Sequence, residues 1–202
     1  MRALIIVDVQ NDFVTGGKLE VSNGEQIIPI VNQLAEKFEL VIATQDWHPA
    51  DHKSFASQHE GKQPFDKTTL QGLEQVLWPD HCVQESHGAA FHPQLRTHRI
   101  EAIFRKGTDP GIDSYSGFYD NGHKKSTGLA GYLRERGVEH IYVCGLAADY
   151  CVYYTARDGI TSGFHATIIE DATRAIDAVG FEKAKADIRA LGGNIIDSTS
   201  IG

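Results

Sequence analysis

Positive charge is in short supply in this 202-residue sequence: 19 Lys and Arg stand against 27 Asp and Glu, a formal net charge of −8. A phosphate-backbone partner needs clustered cations to neutralise it, so nucleic acid is excluded as a ligand. Long apolar runs are missing too. No stretch approaches the roughly 20 residues that span a bilayer. The opening "MRALIIVDVQ" has too short an apolar part for a signal peptide, lacks a small-residue cleavage site and meets Asp8 almost at once. Cysteine is scarce and odd in number, with only Cys82, Cys144 and Cys151. A chain long enough to bury a sizeable core needs no disulfide staple, so reduced thiols, no membrane contact and a cytoplasmic location are expected. Repeats, low-complexity tracts and linkers are absent as well, which leaves one domain over residues 1–202.

What is present is an alternation of short β-branched runs with helix-period segments. "ALIIVDV" (3–9) and "LVIAT" (40–44) read as strands buried on both faces of a parallel sheet, and between them Ile27, Ile28, Val31, Leu34, Ala35 and Phe38 recur at helical spacing. The pattern returns as "IEAIF" (100–104), a helix near 126–136 ended by Gly137, "HIYVCGL" (140–146), a helix from about 150, "ATIIE" (166–170), a helix over 174–191 and "NIID" (194–197). These elements predict a three-layer α/β/α sandwich around a six-stranded, mostly parallel sheet of Rossmann-like type. Residues 45–98 break the rhythm. They hold most of the histidines and, apart from a short helix expected near 69–76, little periodicity, which marks a functional insertion rather than a connection.

Open α/β sheets bind ligands at the carboxyl ends of their strands. There the sequence places Asp8 after the first strand, Asp46 and His48 ("TQDWH") after the second, Lys106 ("FRKG") after the third, and Cys151 ("GLAADYC") at a helix start after the fourth. Singly, each has an ordinary structural explanation: Asp8 a turn cap, Lys106 a solvated cation, Cys151 a small core residue. Together they compose a site. A thiol at a helix N-terminus beside a lysine is expected to ionise easily, and a nearby aspartate can take and return its proton. No histidine lies close to Cys151 in its segment, so a Cys–His pair is not signalled. In "LWPDHCV", His81 and Cys82 are neighbours whose side chains diverge, so they do not act as a unit.

Five segments in register carry a resemblance that spans nearly the whole chain: "IIVDVQNDF", "TQDWHPADHKSF", "LWPDHCV", "FRKGTDPGIDSYSGF" and "CGLAADYCVYYTARD". The sequence resembles the nicotinamidases and pyrazinamidases, the metal-containing branch of the isochorismatase-like cysteine hydrolases. The resemblance implies an Asp8–Lys106–Cys151 triad that hydrolyses nicotinamide to nicotinate and ammonia through a cysteine thioester, in NAD salvage, with pyrazinamide as a second substrate. It implies an oxyanion hole from the N–H groups of Ala147 and Cys151, a cis peptide between Leu146 and Ala147, and substrate-ring walls from Phe13, Trp78 and Tyr115, each of which also suits plain core packing.

The D-x-H pair Asp46 and His48 suits Zn²⁺ or a similar divalent ion, and the resemblance supplies His81 as the third ligand. Zn²⁺ is favoured, with Fe²⁺ and Mn²⁺ sharing these ligands. His52 is a candidate fourth ligand or a support for the others. His59, His87, His92 and His98 carry no pattern, and Asp171 is taken as a helix cap outside the site. Two other readings stay open: another hydrolase of the same superfamily, which bound metal would argue against, and a catalytically dead scaffold. A homo-oligomer is compatible with the sequence.

Overall fold

The computed structural model describes residues 1–202. The two apolar runs nearest the N-terminus form β1 (Arg2–Val7) and β2 (Leu40–Asp46), paired in parallel from Ala3 with Leu40 to Val7 with Thr44. They continue into β5 (Ala102–Lys106) on one side and β6 (His140–Leu146), β7 (His165–Arg174) and β8 (Asn194–Ile196) on the other. The sheet order is β5-β2-β1-β6-β7-β8, and every pairing is parallel. The chain works outward from β1 to β2 and β5, then returns to β1's other side with β6, so the order reverses between β1 and β6. That is where an open α/β sheet opens a crevice for a ligand.

Alternating side chains of the buried strands feed two cores. Leu4, Ile6, Val41 and Ala43 pack on one face with Ile28, Val31 and Leu34 of α1 (Ile28–Ala35). Ala3, Ile5, Val7 and Ile42 pack on the other. That face is covered by Leu129 and Leu133 of α2 (Leu129–Glu135), Ala156 of α3 (Tyr153–Thr161) and Ile188 of α4 (Ala178–Ala190). With both faces covered, these strands read as unbroken apolar runs. The sandwich expected from the sequence is therefore present, with all six sheet strands parallel.

Element edges moved where local chemistry outweighed periodicity. α4 starts at Ala178, four residues later than expected, because β7 runs on to Arg174 and Asp177 then caps the helix, accepting from the Val179 and Gly180 N–H groups at 3.0 Å each. β7 reaches that length through a register shift opposite Gly145, whose φ of +114° and approach to the Val7 backbone leave no room for a Cβ.

The helix expected near 69–76 is not there. Residues 67–76 form an antiparallel hairpin, β3 (Lys67–Leu70) and β4 (Leu73–Val76), turned by Gln71 at φ +49° and Gly72 at φ +84°. Two consecutive positive φ values are what a two-residue hairpin turn requires and what a helix cannot hold. The rest of the insertion is mostly irregular, with short 3₁₀ turns at Ala56–Gln58 and Thr97–Arg99.

Candidate active site

Lys106 is the hub of the strand-end residues. Its side chain is fully buried, and Nζ lies 2.8 Å from Asp8 Oδ2, 2.9 Å from Asp46 Oδ1, 3.1 Å from the Ser114 carbonyl oxygen and 3.4 Å from Cys151 Sγ. β1, β2, β5 and the turn after β6 deliver the side chains to the β1/β6 crevice. Asp8 sits just past β1 at φ +48°, a left-handed conformation costly for a non-glycine residue, and its Oδ1 accepts from Thr44 Oγ1 at 2.7 Å. Cys151 lies in a π-helical turn, Ala148–Val152, that leads into α3. A single wide turn of this kind is common at functional sites. The Leu146–Ala147 peptide is cis, and the Ala147 N–H beside Cys151 donates to no backbone group of the protein.

Burial dominates the electrostatics. It works against charge on Lys106, but Asp46 and Asp8 outweigh it and hold the ammonium well above its ordinary range. Burial lifts the Asp8 carboxyl above its usual value against the pull of Lys106. It also pushes the Cys151 thiol well up, with Lys106 opposing and Asp8 and Asp46 reinforcing. The easily ionised thiol expected at a helix start meets an opposing balance: burial and the two nearby carboxylates raise its pKa, while Lys106 lowers it.

Asp46 joins this hub to a second cluster. Its Oδ1 faces Lys106, while Oδ2 lies 3.1 Å from His48 Nε2 and 3.4 Å from His81 Nε2. The three residues are buried, and their ligand atoms lie within 4.8 Å of one another. In each imidazole the far nitrogen meets a backbone carbonyl, His48 Nδ1 the Gly107 oxygen at 2.9 Å and His81 Nδ1 the Pro79 oxygen at 2.8 Å. This arrangement fixes the tautomer and leaves both Nε2 atoms free to ligate. Gly107, at φ +63°, has no space for a side chain, since a Cβ would lie 2.3 Å from His48 Cε1. One carboxylate oxygen and two imidazole nitrogens are a donor set that fits a divalent transition metal.

His52 stands apart from the trio. Its ring packs on His48 with centroids 4.4 Å apart, but its nitrogens face Ser54 Oγ at 2.7 Å and the Ile112 carbonyl at 3.3 Å. Burial and its proximity to His48 push its pKa down to about 4. It groups instead with His48 and Asp113. Cys82 parts from His81 as expected: its side chain is in the core, and its N–H donates to Asp12 Oδ2 at 2.7 Å. His87 and His98 are exposed, and His59 and His92 half-buried. Asp171 accepts from the Ser198 N–H at 2.7 Å, away from the site.

One pocket gathers Cys151, Ala147, Asp46 and His81 between the apolar side chains of Phe13, Leu19, Trp78, Tyr150 and Ile176, with Tyr115 and Asp113 on its wall. A larger open cavity beside Arg134 and Arg157 shares only Tyr115 with it and holds neither triad nor metal-type residues. Chemistry, not size, identifies the site. Sequence reasoning missed Tyr150 and Asp113. Tyr150 follows from its place one residue before Cys151, whereas Asp113 carries no signal beyond lying in the same segment as Tyr115.

A model of the isochorismatase domain family matches residues 2–200. The nicotinamidase of Acinetobacter baylyi is 48% identical over 200 residues, covering 98% of this chain and 94% of that protein. Among solved structures, a nicotinamidase and pyrazinamidase of Acinetobacter baumanii superposes with a TM-score of 0.97 at 48% identity, covering 100% of this chain and 98% of that one. The pyrazinamidase of Pyrococcus horikoshii, solved in complex with zinc, superposes with a TM-score of 0.80 at 37% identity, covering 97% and 98% of the two chains. The chain belongs to the isochorismatase family and, within it, to the nicotinamidases.

Proposed function

We propose that this protein deamidates nicotinamide to nicotinate and ammonia, and pyrazinamide to pyrazinoate by the same chemistry, as a step of NAD salvage. The observation that carries the reading is the position of Lys106 Nζ, in reach of Asp8, Cys151 and Asp46 at once. It supports a base and a charge stabiliser packed behind a nucleophile, Cys151, that faces a pocket with aromatic walls.

Asp8 takes the Cys151 proton, and the thiolate, beside the Lys106 ammonium, attacks the carboxamide carbon. The carbonyl oxygen becomes an oxyanion, met by the N–H groups of Ala147 and Cys151, where one such donor is worth about 2.7–4 kcal/mol of barrier. Asp8 returns its proton to the amine, ammonia leaves, and a thioester remains. A water molecule gives a proton to Asp8 and attacks the thioester carbon, which releases nicotinate and restores the thiol. Phe13, Trp78, Tyr115 and Tyr150 hold the flat ring between them.

Asp46, His48 and His81 would hold the metal, for which we propose Zn²⁺. The donor set and the zinc in the Pyrococcus horikoshii relative support this choice. Bound there, the ion supplies a Lewis-acid position for the lone pair of a ring nitrogen. The membrane has no part in this reading, since no helix is long and apolar enough to cross one.

Incubating metal-replete protein with nicotinamide and assaying ammonia tests the proposal. Steady release is expected; none would sink it. Parallel samples stripped by chelation and reloaded with Zn²⁺, Fe²⁺ or Mn²⁺ identify the supporting ion.

A further inference from the structure

The hairpin β3–β4 bonds neither the triad nor the metal-type trio, yet it sends one buried side chain to the pocket wall. Gln75, on β4, is 3% exposed. Its Nε2 lies 2.9 Å from Asp113 Oδ2, 3.1 Å from the Tyr115 hydroxyl and 2.7 Å from the Val76 carbonyl oxygen. The Tyr115 hydroxyl also accepts from Trp78 Nε1 at 3.3 Å, and Asp113 Oδ1 accepts from the Ser114 N–H at 2.8 Å. The rings of Trp78, Tyr115 and Tyr150 meet edge to face, with centroids 5.0 to 6.2 Å apart. Two of these three rings are thus tied to one phenol oxygen, and the hairpin amide grips that oxygen and the pocket's remaining carboxylate together.

We propose that Gln75 is a positioning residue for substrate affinity: it fixes Tyr115 and Asp113 at the pocket wall and so makes the hairpin part of the substrate-binding apparatus. This inference rests on the nicotinamide deamidase reading. An amide suits the task because a neutral N–H donor satisfies a buried carboxylate and a buried phenol without adding a charge. Removing it leaves Asp113 Oδ2 without its donor in a dry wall and the Tyr115 hydroxyl with Trp78 Nε1 alone, which costs more than the bond itself contributed. The effect falls on binding rather than on bond-making, because Asp8, Lys106 and Cys151 are held by β1, β5 and the turn before α3, with no hydrogen bond to the hairpin.

The test is steady-state kinetics of the metal-replete Gln75→Leu protein on nicotinamide, alongside wild type. Leucine keeps most of the volume and removes the donors, so KM is expected to rise about tenfold while kcat stays within roughly threefold. Gln75→Glu sets a second carboxylate against Asp113 and is expected to raise KM at least as far. An unchanged KM in Gln75→Leu, or a fall in kcat as large as the rise in KM, overturns the proposal. Should Gln75→Leu fail to fold, Gln75→Glu carries the test: a KM raised at least about tenfold with kcat within roughly threefold is expected, and a wild-type KM overturns the proposal. Absence of turnover in wild type would sink the deamidase reading, whereas wild-type turnover with an unaltered variant KM sinks only the role of Gln75.

Discussion

The sheet and the insertion contribute to one pocket in different ways. The sheet brings Asp8 from just past β1, Lys106 from the end of β5 and Cys151 from the turn after β6, all three buried. The 45–98 insertion brings His48, His81 and Trp78 on loops held by backbone carbonyls and isolated bridges, such as His48 with Val83 and Phe55 with Trp78. The triad-type groups stand at the ends of sheet strands and in the turn after β6, while two of the three metal-type side chains and the Trp78 ring stand on irregular chain laid over the sheet. Asp46 is the seam, with one carboxylate oxygen on each side.

Breaking the sheet side should have the largest effect. Cys151→Ala removes the nucleophile, and nicotinamide turnover is expected to fall by at least about 10³-fold with metal content unchanged. Asp46→Asn cuts the seam. It strips one carboxylate from the buried Lys106 and one ligand from the metal trio, so activity and zinc content should drop together, activity by about 10²-fold or more. Normal zinc with lost activity in that variant would separate the two regions again. His81→Ala touches the insertion alone. Zinc affinity, read by competition with a chromophoric chelator, should fall by at least about 10–100-fold, while the unfolding temperature stays close to wild type because the α/β core does not include His81.

A smaller effect appears in acid. His52 takes up a proton below about 6.5 in the unfolded chain but only below about 4 in the folded one. The unfolded state therefore binds more protons in that window, and stability is lost as pH falls through it, by about 3 kcal/mol in all. Denaturant midpoints for wild type and His52→Asn between pH 7 and 4 measure it: the variant should lose less stability over that range, and parallel curves would remove His52 as the cause.

The same division governs what could be read in advance. β1, β2 and β6 were legible because a strand covered on both faces must be apolar throughout, and the residues just past such strands then stand out by their polarity. The hairpin was not. Leu70, Leu73 and Val76 recur at a spacing that suits a helix, and only the left-handed Gln71–Gly72 turn decides against it. The electrostatic balance at Cys151 was illegible for another reason. Spacing revealed the lysine and the helix start, but the net balance depends on burial and on two carboxylates that only the folded chain sets around the thiol. Asp113 and Gln75 lie 38 residues apart and meet only through the insertion's path. His52 follows the same pattern, since its segment motif places it near the trio but only the fold turns its nitrogens to Ser54 and Ile112.

Covalent attack by Cys151 on a pyridine carboxamide is what sets this mechanism apart. Acid quenching during turnover of nicotinamide, followed by proteolysis and mass spectrometry, tests it most directly. One nicotinoyl group is expected on the peptide carrying Cys151, absent from Cys151→Ala and discharged as the hydroxamate by hydroxylamine. Undiminished ammonia release from Cys151→Ala, or a nicotinoyl group on Cys82 instead, would contradict it.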